Sequence, residues 1–184
     1  AQVRAIIEAE PTVTEVRWVV GRNAGRYRFL EADLALRVDD LERAHAVSQR
    51  LEKAIREQVP HVEQVLIHYE PQTRTHLRYA VPLADAGGTV SEHFGESPYF
   101  AQVTVCLANA QIEHQEILSN PHQAEEKAKG IRVAEWLVGF KTDVVLLRED
   151  VRGKGPAYVF ADAGVETRMT QADTLDRAVS EQRS

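Results

Sequence analysis

Sulfur is scarce in this chain. Its 184 residues include one cysteine, Cys106, and one methionine, Met169. A single cysteine excludes an intramolecular disulfide and any cysteine-based zinc finger, so metal chemistry is expected to rest on His, Asp and Glu. Cys106 itself reads as a small buried apolar residue within a strand. No apolar run approaches the roughly 20 residues that cross a bilayer, and nothing has the form of a secretion signal. Direct membrane insertion is therefore not expected. Because the chain starts at Ala1 and its only methionine is so late, we expect it to have been cut from a longer polypeptide. Positive charge is also in deficit. There are 22 basic against 28 acidic side chains, a net charge of -6, and no basic stripe, which argues against a nucleic-acid partner. A Gly-x-Ser-x-Gly elbow, a phosphate-cradling loop and a His-Glu-x-x-His helix are all missing. Asp143, Glu149, Asp150 and Asp162 form no catalytic pattern, so an enzyme is not expected.

What is present is 43% hydrophobic residues in two successive patterns, enough for two small domains. The first places Val3, Ile6 and Ile7 at helical spacing, then strands over 14–22 and 26–38 around Asn23-Ala24-Gly25, whose glycine tolerates the positive φ of a hairpin. Leu30, Ala32, Leu34 and Leu36 share one face of the second strand, and Glu31 and Asp33 the other. Asp39-Asp40 puts negative charge at the start of a helix over 41–58, followed by a strand ending at Pro71. The order is helix, strand, strand, helix, strand over 1–71, with a polar linker at 72–76. From 77 to 184 the pattern restarts. Strands at 77–82, 101–107 and 111–118 precede a helix at 123–138, a strand at 143–147, a helix opened by Gly153-Lys154-Gly155-Pro156, a strand at 165–169 and a helix at 171–182. This alternation predicts an α/β unit with a mixed, partly parallel sheet covered by helices.

The chemistry concentrates in few places. His45 falls in the first turns of the 41–58 helix, while His68 and Glu70 alternate along the next strand and share a face. Together with Asp33 they offer two imidazoles and two carboxylates, a set that suits Zn, Fe or Mn. The same residues also fit a plain structural account, with His45 packed at a helix start and His68 and Glu70 on a solvated strand face. In the second half His93 stands beside Phe94-Gly95, where glycine permits a sharp turn or close ligand approach. A packing histidine fits there equally well. His61, His76, His114 and His122 have no partner at ligand spacing and read as surface residues.

The first half, through Gly25-x-Tyr-Arg-Phe29, Asp33-Leu34, Ala44-His45 and Ile67-His68-x-Glu70-Pro71, resembles the cytosolic carboxy-terminal domain of cation diffusion facilitator transporters. This resemblance implies a ferredoxin-like αββαβ homodimer that binds divalent cations. It also implies a transmembrane part on the same polypeptide and a place on the cytoplasmic side of the cell membrane. It marks His45, His68, Glu70 and Asp33 as ligand positions. Arg17 stands where zinc exporters carry a further histidine, and a guanidinium has no lone pair to give. The second half, through Ser91-x-His93-Phe94-Gly95, Pro98-Tyr99-Phe100, Asn120-Pro121, Lys129-Gly130 and Gly153-x-Gly155-Pro156, resembles the dinitrogenase iron-molybdenum-cofactor biosynthesis domain. That resemblance implies a ribonuclease-H-like fold and His93 as a ligand to an iron-containing cluster. Two functions follow as expectations. The first is the regulatory region of a cation efflux transporter, whose dimer closes on binding metal. The other is a free-standing carrier of a metal or metal cluster, with the first domain serving for dimerisation.

Overall fold

The computed structural model describes residues 2–38, 41–72 and 74–182. Asp39 and Asp40, expected to start a helix, lie outside the described residues. Two compact units follow one another, Ala1–Thr73 and Arg74–Ser184.

The first unit runs α1 (Gln2–Glu8), β1 (Val13–Ala24), β2 (Tyr27–Leu36), α2 (Leu41–Gln58) and β3 (Val62–Pro71). Its sheet has the order β1-β2-β3, with β1 antiparallel and β3 parallel to the central β2. This is the ferredoxin-like αββαβ arrangement. Ala24 pairs with Tyr27, so the hairpin turns through Gly25, whose φ of 63° suits a residue without Cβ. Ala44, Val47, Leu51 and Ile55 form one stripe of α2, which packs on the alternate residues Leu34 and Leu36 of β2 and Val65 and Ile67 of β3. Parity then sends Glu31, Asp33, Leu66, His68 and Glu70 to the opposite face. Among the described residues no helix of this unit covers that face, and it shows Trp18, Val20 and Leu66 39%, 55% and 45% exposed. In β1, Val16 pairs with Leu34 and Trp18 with Asp33, which leaves Arg17 as the extra residue of a β-bulge.

The second unit runs β4 (His76–Leu83), β5 (Tyr99–Cys106), β6 (Ile112–Ser119), α3 (Lys129–Gly139), β7 (Val144–Leu147), α4 (Gly155–Asp162), β8 (Glu166–Met169) and α5 (Leu175–Glu181). The sheet order is β6-β5-β4-β7-β8. An antiparallel meander, β4 to β6, is extended on the other side of β4 by two parallel strands, which is the ribonuclease-H-like pattern. Both faces are covered. Leu175, Ala178 and Val179 of α5 pack on Tyr79, Val81, Val103 and Leu146. Val133, Ala134 and Leu137 of α3, with Phe160 of α4, pack on Ala80, Phe100, Val145 and Leu147.

Three expectations are corrected here. The helix expected from 123 begins only at Lys129, because Ala128 adopts a left-handed conformation, φ 53°, that breaks any helix running through it. The last helix begins at Leu175 rather than near 171. Thr174 is extended and its hydroxyl accepts from the Arg177 amide as an N-cap, which sets that start. Cys106, expected to be buried, lies at the end of β5 and is partly exposed.

Candidate metal-binding sites

On the open face of the first unit, Asp33 and His68 are register partners across the parallel β2–β3 pair. Glu70 is two residues further along the same side of β3. The bulge at Arg17 aims its side chain across both strands. Arg17 Nη1 donates to Glu70 Oε2 at 2.8 Å and stands 3.6 Å from Asp33 Oδ2. The hydrogen bond and charge of Glu70, with lesser help from Asp33 and Glu15, hold the Arg17 guanidinium above its ordinary pKa, so it stays cationic. His68 Nε2 is 2.7 Å from Glu31 Oε1, and the imidazole lies 6.0 Å from the Trp18 ring. The structure thus brings Asp33, His68 and Glu70 onto one solvent-facing patch. It does not bring His45 to them. His45 is exposed on α2, in the layer that covers the other side of the sheet, and its Nε2 accepts from the Gln49 amide at 3.0 Å.

The second unit holds its own cleft. Phe94 is buried and packs edge-on against Phe100 and Phe160, at centroid distances of 5.7 and 5.6 Å, which anchors the loop and leaves His93 exposed. The Ser91 and Ser97 hydroxyls both donate to the His93 carbonyl. Asn120 Nδ2 donates to the Ser97 carbonyl at 2.8 Å. Three glycines allow the two helix starts and this loop to meet. A Cβ on Gly130 would lie 2.8 Å from Pro156 Cγ, one on Gly155 2.6 Å from Ile131 Cγ1, and one on Gly95 3.2 Å from the Gly130 backbone. The motifs His93-Phe94-Gly95, Lys129-Gly130 and Gly155-Pro156, far apart in sequence, therefore converge on a cavity of about 540 Å³. It lies past the carboxyl ends of the neighbouring parallel strands β4 and β7, the usual ligand crevice of an open α/β sheet.

The lining of this cavity has a definite sign. Glu96, Glu125, Glu126 and Glu149 face it, against Lys129 and Lys154. Partial burial opposes ionisation of Glu149. Lys154 Nζ at 2.7 Å, the Phe94 amide at 2.9 Å and the charge of His93 outweigh that burial and hold the carboxyl below its ordinary value. A lowered carboxyl pKa stabilises the fold above the ordinary glutamate range, and that contribution disappears as pH falls through the lowered value. Urea unfolding between pH 7 and 3 should accordingly show a steeper acid loss of stability in the native chain than in Glu149→Gln. One imidazole among an excess of carboxylates fits an anionic iron-containing cluster poorly.

Sequence spacing missed one grouping. His76, set aside as a surface residue, has its Nε2 2.8 Å from Glu113 Oε2 and lies beside Cys106. Cross-strand register creates that proximity, and no linear pattern announces it. His114 and His122 each stand near one carboxylate, Glu116 at 3.8 Å and Glu125 at 3.5 Å.

Both halves of the chain match domains of metal metabolism. Over residues 77–183, more than half its length, the chain belongs to the dinitrogenase iron-molybdenum cofactor family. Residues 1–72 match the cytoplasmic domain of cation efflux proteins. Solved structures resemble parts of it. The crystal structure of PH0822 is 19% identical with a TM-score of 0.49, covering 58% of this chain and 90% of that one. The metal-bound C-terminal domain of the CzcD transporter from Thermotoga maritima is 27% identical, TM-score 0.36, covering 38% and 81%. The copper form of the MamM CTD is 16% identical, TM-score 0.37, covering 39% and 71%. No curated protein matches the chain. No helix among the described residues is long and apolar enough to cross a membrane.

Proposed function

We propose that the chain is the cytosolic regulatory region of a divalent cation efflux transporter. In this reading residues 1–71 bind a cation such as Zn, Fe or Mn as a homodimer, and residues 77–184 are an attached cofactor-biosynthesis-like unit. The observation that carries it is the open sheet face, where Asp33, His68 and Glu70 stand together in a unit that matches the cytoplasmic domain of cation efflux proteins. One chain can offer only three of the four expected ligands to that face, since His45 lies in the opposite layer. A site that uses all four takes ligands from two chains. Exposed Trp18, Val20 and Leu66 on the same face supply apolar area for such a pairing. A cation that needs both chains binds the closed pair better than the open one and shifts the population toward closure. Closure then biases the transmembrane part of the same polypeptide.

Sedimentation velocity of the 184-residue chain with and without Zn²⁺ tests the reading. A dimer that grows in population or becomes more compact with the cation is the expected result. A monomer at high concentration under both conditions would remove the linkage on which regulation depends.

A further inference from the structure

In the second unit, we propose a zinc-class divalent cation site formed by His76, Cys106 and Glu113, separate from the open face of the first unit and from the His93 cavity. Among the described residues, these are the only three His, Cys, Asp or Glu side chains whose ligand atoms all lie within 4.8 Å of one another. They come from three adjacent strands. His76 opens β4 and is the register partner of Cys106, which closes β5, so imidazole and thiol share a face. Glu113 reaches that face through an irregularity. Thr104 pairs with His114 and Val105 with Ile112, which leaves Glu113 as the extra residue of a β-bulge in β6. In a regular strand its carboxylate would alternate to the other side. The bulge re-aims it onto His76, 2.8 Å away.

The donor set selects the metal. A thiolate and an imidazole prefer borderline-soft ions such as Zn²⁺ or Co²⁺ over Mg²⁺, Ca²⁺ or Mn²⁺, and one carboxylate completes a common three-ligand zinc set. Ligands of one tetrahedral zinc, at bond lengths of about 2.0–2.3 Å, lie about 3.3–3.8 Å apart. Separations of up to 4.8 Å therefore need only side-chain rotation to close on an ion.

A second contact orients the imidazole. Thr75 Oγ1 is 2.9 Å from His76 Nδ1. With Nε2–H donating to the Glu113 carboxylate, Nδ1 accepts from the Thr75 hydroxyl. On metal binding the ring proton moves from Nε2 to Nδ1, where Thr75 Oγ1 accepts it, and the Cys106 thiol proton leaves to solvent. Three metal–ligand bonds form and one proton is released per ion. An outer hydrogen bond to a metal-bound histidine is the usual means of fixing its tautomer.

His76 and Leu83 are the two ends of the eight-residue β4. The site thus lies roughly 23 Å along the sheet from the end that leads to His93, at about 3.3 Å per residue. It does not depend on the function proposed for the first unit.

Because Cys106 is the only cysteine, a sulfur signature reports on this site alone. Reduced 184-residue chain is titrated anaerobically with Co²⁺, and the near-ultraviolet thiolate-to-cobalt charge-transfer band is followed, then displaced with Zn²⁺. The expected result is a saturable band, absent in Cys106→Ser and of the same final intensity in His45→Ala/His68→Ala. Removing an outer partner of a metal ligand costs about 10–100-fold in affinity, so His76→Ala and Glu113→Gln, each checked for folding by circular dichroism, should weaken binding at least about tenfold. No charge-transfer band at saturating Co²⁺ overturns the proposal. So does a band that both His76→Ala and Glu113→Gln leave intact, since the thiol would then bind cobalt alone.

Discussion

Zn²⁺ affinity of the first unit is expected to fall at least about 100-fold when His45 and His68 are both changed to alanine. The two imidazoles are the only nitrogen ligands of the proposed set, and each lost ligand costs at least the tenfold seen for outer-shell partners. A Cys106→Ser background removes the other proposed zinc site, so titration calorimetry then reads the first unit alone. Trp18 gives a second signal, because its ring lies 6.0 Å from His68 and should change its emission when the imidazole is taken up by a metal. Single variants separate two geometries. If the site spans two chains, His45→Ala weakens binding and dimerisation together, whereas a site confined to one sheet face would respond to His68→Ala and ignore His45→Ala. Undiminished binding in the double variant would remove the assignment of both histidines.

Arg17→Ala should act in the opposite direction and tighten cation binding about tenfold. Its guanidinium, 2.8 Å from Glu70 and 3.6 Å from Asp33, is a tethered cation on the carboxylates that a metal would use. Glu70 keeps it protonated, so pH does not remove it and an incoming ion has to displace it. Two unit charges about 4 Å apart interact by about 1 kcal/mol in water and more at a protein surface, and 1.4 kcal/mol is tenfold in affinity. The gain should shrink as salt is added, because the competing contacts are solvent-exposed and screened. Equal or weaker Zn²⁺ binding in Arg17→Ala would mean that Asp33 and Glu70 are not ligands. It would then assign Arg17, Asp33 and Glu70 a purely structural ion-pair role.

Much of the architecture could be read along the chain, because its signals are local. The apolar alternation Leu30, Ala32, Leu34, Leu36 predicts which face of β2 is buried, and the stripe Ala44, Ser48, Leu51, Ile55 predicts which side of α2 covers it. Both are periodicities of the backbone itself, two for a strand and 3.6 for a helix. The start of α3 was less legible. Residues 123–128 are compatible with helix by composition, yet they form turns and bends, and the left-handed Ala128 directly precedes the start at Lys129.

By itself, then, the sequence determined the two element orders, the buried faces, the Asp33, His68 and Glu70 parity and the two family resemblances, since each depends on neighbours in the chain. Tertiary structure decided the rest. It put His45 on the far layer from His68, because helix and sheet face one another through their apolar sides and present their polar sides in opposite directions. It made extra residues of Arg17 and Glu113 at two bulges, aiming one onto carboxylates and the other onto an imidazole. Whether a strand bulges depends on the register of its partner. It also gathered His76, Cys106 and Glu113, which are separated by up to 37 residues, at one end of a sheet. No spacing rule anticipates such a group, because hydrogen-bonded register sets distances across strands and linear separation does not.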